Sequence, residues 1–158
     1  MSTVRDDVAA RFAEKPHIEF VMLADHAEAI NGKLYMNGGG WTDLNRPVVA
    51  GQAPPPNAFS IALSVFVPWG DTNRPIDLKL VVEDDDGNNL IDITSQIVVG
   101  RSPILPPGSG QHTPLAINAV QVFPKAGGYR VVVKLGEDVR TWPFRITDIP
   151  QQQQQKAS

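Results

Sequence analysis

The sequence predicts an all-β protein: an antiparallel two-sheet sandwich of about seven or more strands, with a short N-terminal helix and a disordered C-terminal tail. Three observations predict it. In most segments apolar residues alternate with polar or small ones, as at Phe59, Ile61, Leu63, Val65 and Val67. Gly, Pro, Asn and Asp cluster between those segments, where the chain must turn. Helical spacing occurs only ahead of the first strand. Many short strands with turn signals between them fit two packed sheets better than alternating strands and helices.

Composition supports one compact unit. A chain of 158 residues with 42% hydrophobic content can bury a core of its own. The expected organisation is a helical extension over residues 1–16, a sandwich over 17–149 and a tail over 150–158. The formal net charge is -3 with Lys and Arg scattered singly, so no basic stripe offers itself to nucleic acid. No apolar run approaches the roughly 20 residues needed to cross a bilayer, and no membrane partner is expected. Charged residues at Asp6, Asp7, Arg11, Glu14 and Lys15 stand where a signal peptide would be apolar, so a cytoplasmic location is expected. With no cysteine, thiolate nucleophiles and cysteine-based metal centres are excluded.

In chain order, Val4, Val8 and Phe12 recur every four residues, and Ala9 and Ala13 widen the same face. Thr3 with Asp6 caps the start of this helix, and Arg11 and Lys15 complement its end before Pro16 stops it. Three turns are marginal in water, so the face of Val4, Val8 and Phe12 must lie on its own domain or on a partner. The period then changes to two. Ile18, Phe20 and Met22 are placed on one face of a strand, with Glu19 on the other. Asn31-Gly32 predicts a type I′ hairpin, and Gly38-Gly39-Gly40 ends the ribbon in a bulge or close backbone approach. That triplet is not a phosphate loop, since neither Lys-Ser nor Lys-Thr follows it.

The strand over Phe59–Val67 and the strand carrying Ile76, Leu78, Leu80 and Val82 read as half-buried. Leu90–Val99 is less regular, and in Leu115–Phe123 the alternation slips as at a bulge. The last two strands set Tyr129, Val131, Val133 and Leu135 on one face and Trp142, Phe144 and Ile146 on another, with Gly136-Glu137-Asp138 turning between them. Proline-rich connections at Val48–Asn57 and Gly100–Pro114 read as extended loops. Gln151–Ser158 is low complexity and reads as disordered.

Chemical motifs are few. Glu83–Asn89 spaces oxygen ligands as a calcium loop does, but counting from Asp84 the twelfth position is Ser95, not a bidentate Glu. A solvated turn closed by Asp86-Gly87 is the simpler reading. His17, His26 and His112 lack ligand spacing, and Asp25-His26 has no Gly-x-Ser-x-Gly elbow and neighbours that point to opposite strand faces. No catalytic residue, cofactor site or metal site is assigned.

A seven-residue pattern is the better lead. Trp, any, Asp, any, Asn, Arg, Pro occurs at Trp41–Pro47 and again at Trp69–Pro75. Both copies read as loops, either as turn chemistry used twice or as a recognition surface built from Trp41, Asp43, Arg46, Trp69, Asp71 and Arg74. Trp142 reads as core. In a simple up-and-down path the two tryptophan loops lie at opposite ends of the sandwich, unless the connection after Val48 crosses the domain.

Two stretches also carry a resemblance. Leu23–Trp41 contains Ala24-Asp25, Asn31-Gly32-Lys33-Leu34-Tyr35 and Gly38-Gly39-Gly40-Trp41, and Ala126–Gly136 contains Gly127-Gly128-Tyr129 and runs on to Trp142-Pro143-Phe144-Arg145-Ile146. Val67-Pro68-Trp69 and Asn73-Arg74 fit the same pattern. These resemble a bacterial family of small uncharacterised proteins with an immunoglobulin-like sandwich. The resemblance spans Leu23 to Ile146 and implies a fold without implying an activity, and it suggests Tyr129 as a corner residue bonding upstream backbone. The sequence reading is therefore a non-catalytic immunoglobulin-like protein acting through a protein partner or self-association. Its alternative is a small-ligand or carbohydrate module using the loop tryptophans.

Overall fold

The computed structural model describes residues 14–151. Among them the strands are β1 (His17–Ile30), β2 (Lys33–Gly39), β3 (Asp43–Val48), β4 (Asn57–Val67), β5 (Pro75–Asp84), β6 (Asn89–Val98), β7 (Gln111–Gln121), β8 (Gly127–Leu135) and β9 (Asp138–Pro150). They form two sheets, ordered β2-β1-β4-β7 and β3-β9-β8-β5-β6. The inner faces meet in a core that includes Leu23, Ile61, Leu63, Leu80, Val131, Val133, Leu135 and Ile146. The expected helix over Val4, Val8 and Phe12 lies outside the described residues, and Glu14–Pro16, where it was to end, are not helical. The glutamine tail beyond Gln151 also lies outside them.

Local chemistry explains most of the turns. Asn31 and Gly32 close the β1–β2 hairpin with φ of 50° and 74°, as a type I′ turn requires. Gly38 has φ of 60°, and a Cβ there would fall 2.3 Å from the Asp25 carboxylate, so this glycine serves a close approach. The Gly40 N–H then donates to the Leu23 carbonyl at 2.8 Å as the chain leaves β2 for the other sheet. It arrives beside β9 in the same direction, so β3 and β9 pair in parallel while the other pairs are antiparallel.

Four expectations about the strands need correction. First, the register of β1 on β4 shifts between Ile18 and Phe20, so the core face of β1 is Ile18, Val21 and Leu23 rather than Ile18, Phe20 and Met22. One extra residue in a strand exchanges its two faces. Second, β4 is buried on both sides. Ser60, Ala62 and Ser64, on the face that reads as open to solvent, are buried, the first two beside the β1–β2 ribbon and Ser64 beside Glu19. Ala24, Ala27 and Ala62 form a second small cluster there, with Met22, Leu34 and Ala116 against it. Small side chains let the ribbon come this close, and Ser60 keeps its hydroxyl paired by accepting from the Ala27 N–H at 3.0 Å. Third, β7 pairs with β4 over its whole length with no register shift. Fourth, the first copy of the repeated pattern is not a loop, because Asp43–Val48 is β3. Pro47 is tolerated there because β3 lies at a sheet edge.

At the β3 end of the sandwich, Phe123 lies between Phe59, Tyr129 and Phe144, with ring centroids 5.8, 4.9 and 5.8 Å away, and Trp41 meets Phe144 edge-on at 6.2 Å. Arg46 is buried beneath this cluster at 1% exposure. Its Nε donates to the carboxylate of Asp148, its register partner on β9, and its Nη1 donates to the Phe123 carbonyl. Tyr129 completes the corner by donating its hydroxyl to the Lys125 carbonyl at 2.5 Å.

Removing that hydroxyl isolates one bond without changing the packing of the ring. Tyr129→Phe should cost about 1 kcal/mol and lower Tm by roughly 3 °C in a thermal melt at neutral pH. Burial pushes the Tyr129 phenol above its ordinary pKa of 10.0. Its contribution is therefore intact below pH 10 and is lost as the pH rises through the folded-state pKa, so the gap between wild type and variant should close in strong alkali.

Candidate functional site

The opposite end of the sandwich is open. There β4 ends at Val67, and Pro68 leads into a single 3-10 turn over Trp69–Asp71. Local bonds fix this turn. The Thr72 hydroxyl donates to the Trp69 carbonyl at 2.6 Å, and the Asn73 N–H donates to the Val99 carbonyl at 2.8 Å. Arg101, from the proline-rich connection, donates through Nε to the Thr72 hydroxyl at 2.7 Å and through Nη2 to the Trp69 carbonyl at 3.3 Å. Its guanidinium carbon lies 3.8 Å from the centroid of the Trp69 ring. A stacked cation and a bonded backbone hold the indole in one orientation before anything binds.

Facing it is the stretch Pro106–Gly110. Together they bound a cleft of about 730 Å³ with Phe66, Pro68 and Trp69 on one wall and with Glu14 and Asp71 contributing carboxylates. Gly110 is required here, because a Cβ would fall 2.2 Å from the Phe66 ring. Phe66 itself lies between the rings of His17 and His112, at 5.2 and 5.1 Å. A second cleft of about 760 Å³ runs past Glu14–His17, Asp71 and Gly136–Asp138, so Glu14 and Asp71 border both. The loop above carries Ile104 at 91% exposure and Leu105 at 42%. An apolar trough with acidic sides suits an apolar group that arrives beside a cation.

The sequence candidates divide between the two ends. Trp41 packs against the core cluster, as Trp142 does, whereas Trp69 is not part of it. The Trp41 carbonyl accepts from the Trp142 indole at 3.1 Å, while the Trp41 indole N–H is buried with no partner among the described residues. Asp43 is exposed and accepts from the Thr42 hydroxyl, and Arg46 is sealed in the core. Asp71 sits between the two clefts, and Arg74 is exposed on the turn into β5. Val4, Val8 and Phe12 lie outside the described residues. Trp41 is tied through Phe144 and Phe123 to Phe59, near the start of β4, and Trp69 follows its end at Val67, which lies roughly 26 Å from Phe59 along the strand. A joint site built from both tryptophans is therefore not formed.

Sequence reasoning missed Phe66, Arg101, Pro106 and Pro107. What brings them together is the pairing of β4 with β7, Val67 opposite Gln111, which puts the loop after one strand beside the loop before the other. It also missed a polar cluster in which Glu19 accepts from the Ser64 hydroxyl and faces His112 Nδ1, each at 2.8 Å. The carboxylate lies between hydroxyl and imidazole, so His112 is not positioned to take the serine proton as a nucleophile's base must. Among the described residues no three His, Asp or Glu side chains gather as metal ligands.

The acidic turn after β5 is explained by its bonds. Asp84 accepts from the Asn88 side-chain amide at 3.0 Å and from the backbone N–H groups of Asn88 and Asp86, each at 2.9 Å. A carboxylate surrounded by N–H donors closes a hairpin, whereas a cation would need oxygen atoms in those places. The Asn88 side chain, then its backbone N–H, hold the Asp84 carboxyl below its ordinary pKa of 3.8.

The model of a family of unknown function, DUF6941, matches residues 19–147. The chain belongs to that family. The DUF6941 match takes in both copies of the tryptophan pattern and both ends of the sandwich. No curated protein sequence matches the chain. Among solved structures, a β-glucuronidase from glycoside hydrolase family 2 aligns with 83% of this DUF6941 chain at 15% identity and a TM-score of 0.45. Pseudomonas fluorescens alkylpurine DNA glycosylase AlkC, bound to DNA containing an abasic site analogue, aligns with 89% at 9% identity and a TM-score of 0.44. The chain spans 12% of the first protein and 33% of the second. No helix among the described residues is long and apolar enough to cross a membrane.

Asp84→Ala should lower Tm at pH 7. Because the folded-state pKa is depressed, the carboxylate stabilises the fold above pH 3.8 and ceases to do so as the pH falls through the lower folded value. Thermal melts from pH 7 to pH 2 should show the gap between the two proteins closing in acid. Added calcium should leave Tm unchanged in both.

Proposed function

We propose that this protein is a non-catalytic binding module that takes a segment of a protein partner into the Trp69 cleft. The observation that carries this reading is that Trp69, alone of the three tryptophans, is not packed into the core, yet is held rigidly by Arg101 and Thr72. A preorganised aromatic beside an apolar trough is the usual anchor of a protein interface. The carboxylates of Glu14 and Asp71 favour a segment that pairs an apolar side chain with Lys or Arg.

The fold supports a module of this kind. We read the sandwich as immunoglobulin-like, on the strand order β1-β4-β7 against β9-β8-β5-β6 and on the Tyr129 corner bond at the start of β8. Such sandwiches present loops at their two ends for recognition. A chain without cysteine needs no oxidising compartment to fold, and we place the protein in the cytoplasm.

Trp69→Ala should abolish capture of a partner from native lysate by the tagged protein, while Tm falls by no more than about 3 °C because the ring lies outside the core. Mass spectrometry of the captured material reads the first effect and a thermal melt the second. Equal capture by wild type and variant, or capture of nothing by either, would contradict the proposal.

A further inference from the structure

We infer that the first occupant of the Trp69 cleft is the chain's own segment 1–13, with Phe12 against Trp69, Pro106 and Pro107 and Arg11 at Asp71. The inference rests on the reading of that cleft as a binding site and adds how it is regulated. Glu14, the first described residue, lines both clefts, so the segment joins the sandwich at their shared border. Phe12 is two residues from Glu14, a reach of about 7 Å.

Composition matches the site on both counts. The segment repeats an apolar residue at Val4, Val8 and Phe12, and the cleft wall is made by Phe66, Pro68, Trp69 and the prolines. Of its charges, Arg5 is offset by the adjacent Asp6 and Asp7, which leaves Arg11 as the cation for the acidic border. Two of those acids are already engaged, since Glu137 pairs with Lys15 and Asp138 accepts from the Ile18 N–H. Asp71 forms no ion pair with a described residue, and no described residue accepts from the Trp69 indole N–H. A tethered segment sees its site at an effective concentration in the mM range, so an interaction too weak for a free peptide suffices. The segment is then a built-in competitor that a partner must displace.

Hydrogen exchange read by mass spectrometry on the full chain tests this. Peptides covering residues 66–71 and 104–111 should exchange about tenfold more slowly in wild type than in Phe12→Ala or Arg11→Glu, as a mM effective concentration against a dissociation constant near 0.1 mM implies. A synthetic peptide of residues 1–13, added to the Phe12→Ala protein, should restore the protection. Equal exchange in all three proteins, or protection that survives Phe12→Ala, would overturn the inference. If exchange is equal while Trp69→Ala still abolishes partner capture, the self-docking inference fails and the binding module stands. If the segment protects the cleft and Trp69→Ala leaves capture unchanged, the reverse holds.

Discussion

A buried guanidinium organises one whole end of this sandwich. Placing Arg46 out of water is costly in itself, and the cost is offset only because a carboxylate and a carbonyl receive it in good geometry. Those two partners come from different parts of the chain. Asp148 belongs to β9, and Phe123 follows β7, so one side chain joins the edge strand β3, the last strand and the crossing between sheets. The aromatic cluster above it inherits that order, since Phe123 contacts Phe59, Tyr129 and Phe144. Trp41, whose sequence setting suggests recognition, is drawn into the same assembly.

The two ends of the molecule consequently do different work. Where Arg46 and the aromatic rings close the sandwich, side chains are used up in packing. At the other end β4 and β7 leave paired loops whose apolar groups have no core to enter, and Ile104, Leu105 and Trp69 stay accessible there. Rigidity at that end comes from polar contacts, Arg101 with Thr72 and Asn73 with Val99, so the indole is held half-buried and outside the core. Function is more readily placed on a fixed aromatic outside the core than on one the fold needs.

Much of this fold is legible in the sequence because strand periodicity is a local signal. The inner faces of β4, β5, β8 and β9 can be read from alternation, and Asn31-Gly32 names its own turn. The errors have a common origin in contacts between distant residues. A one-residue shift at the start of β1 reverses a face that alternation assigns correctly only up to Ile18. Ser60 and Ala62 read as exposed because they are small or polar, whereas they are small because the β1–β2 ribbon packs on them. The two copies of Trp-x-Asp-x-Asn-Arg-Pro are alike locally and unlike in the fold, one being an edge strand with its arginine in the core and the other a turn with its arginine in water. The candidate site was half legible, through Trp69 and Asp71. Its other wall depends on a strand pairing that no neighbouring residues announce.

The most direct test of this account sets the equivalent arginines against each other in urea unfolding of Arg46→Ala and Arg74→Ala. Arg46→Ala should cost about 2 to 3 kcal/mol, because it leaves the Phe123 carbonyl unpaired beside a cavity while the half-open Asp148 recovers some hydration. Arg74→Ala should fall within about 0.5 kcal/mol of wild type. Similar losses at both positions would contradict the claim that one copy of the pattern serves the core and the other the surface.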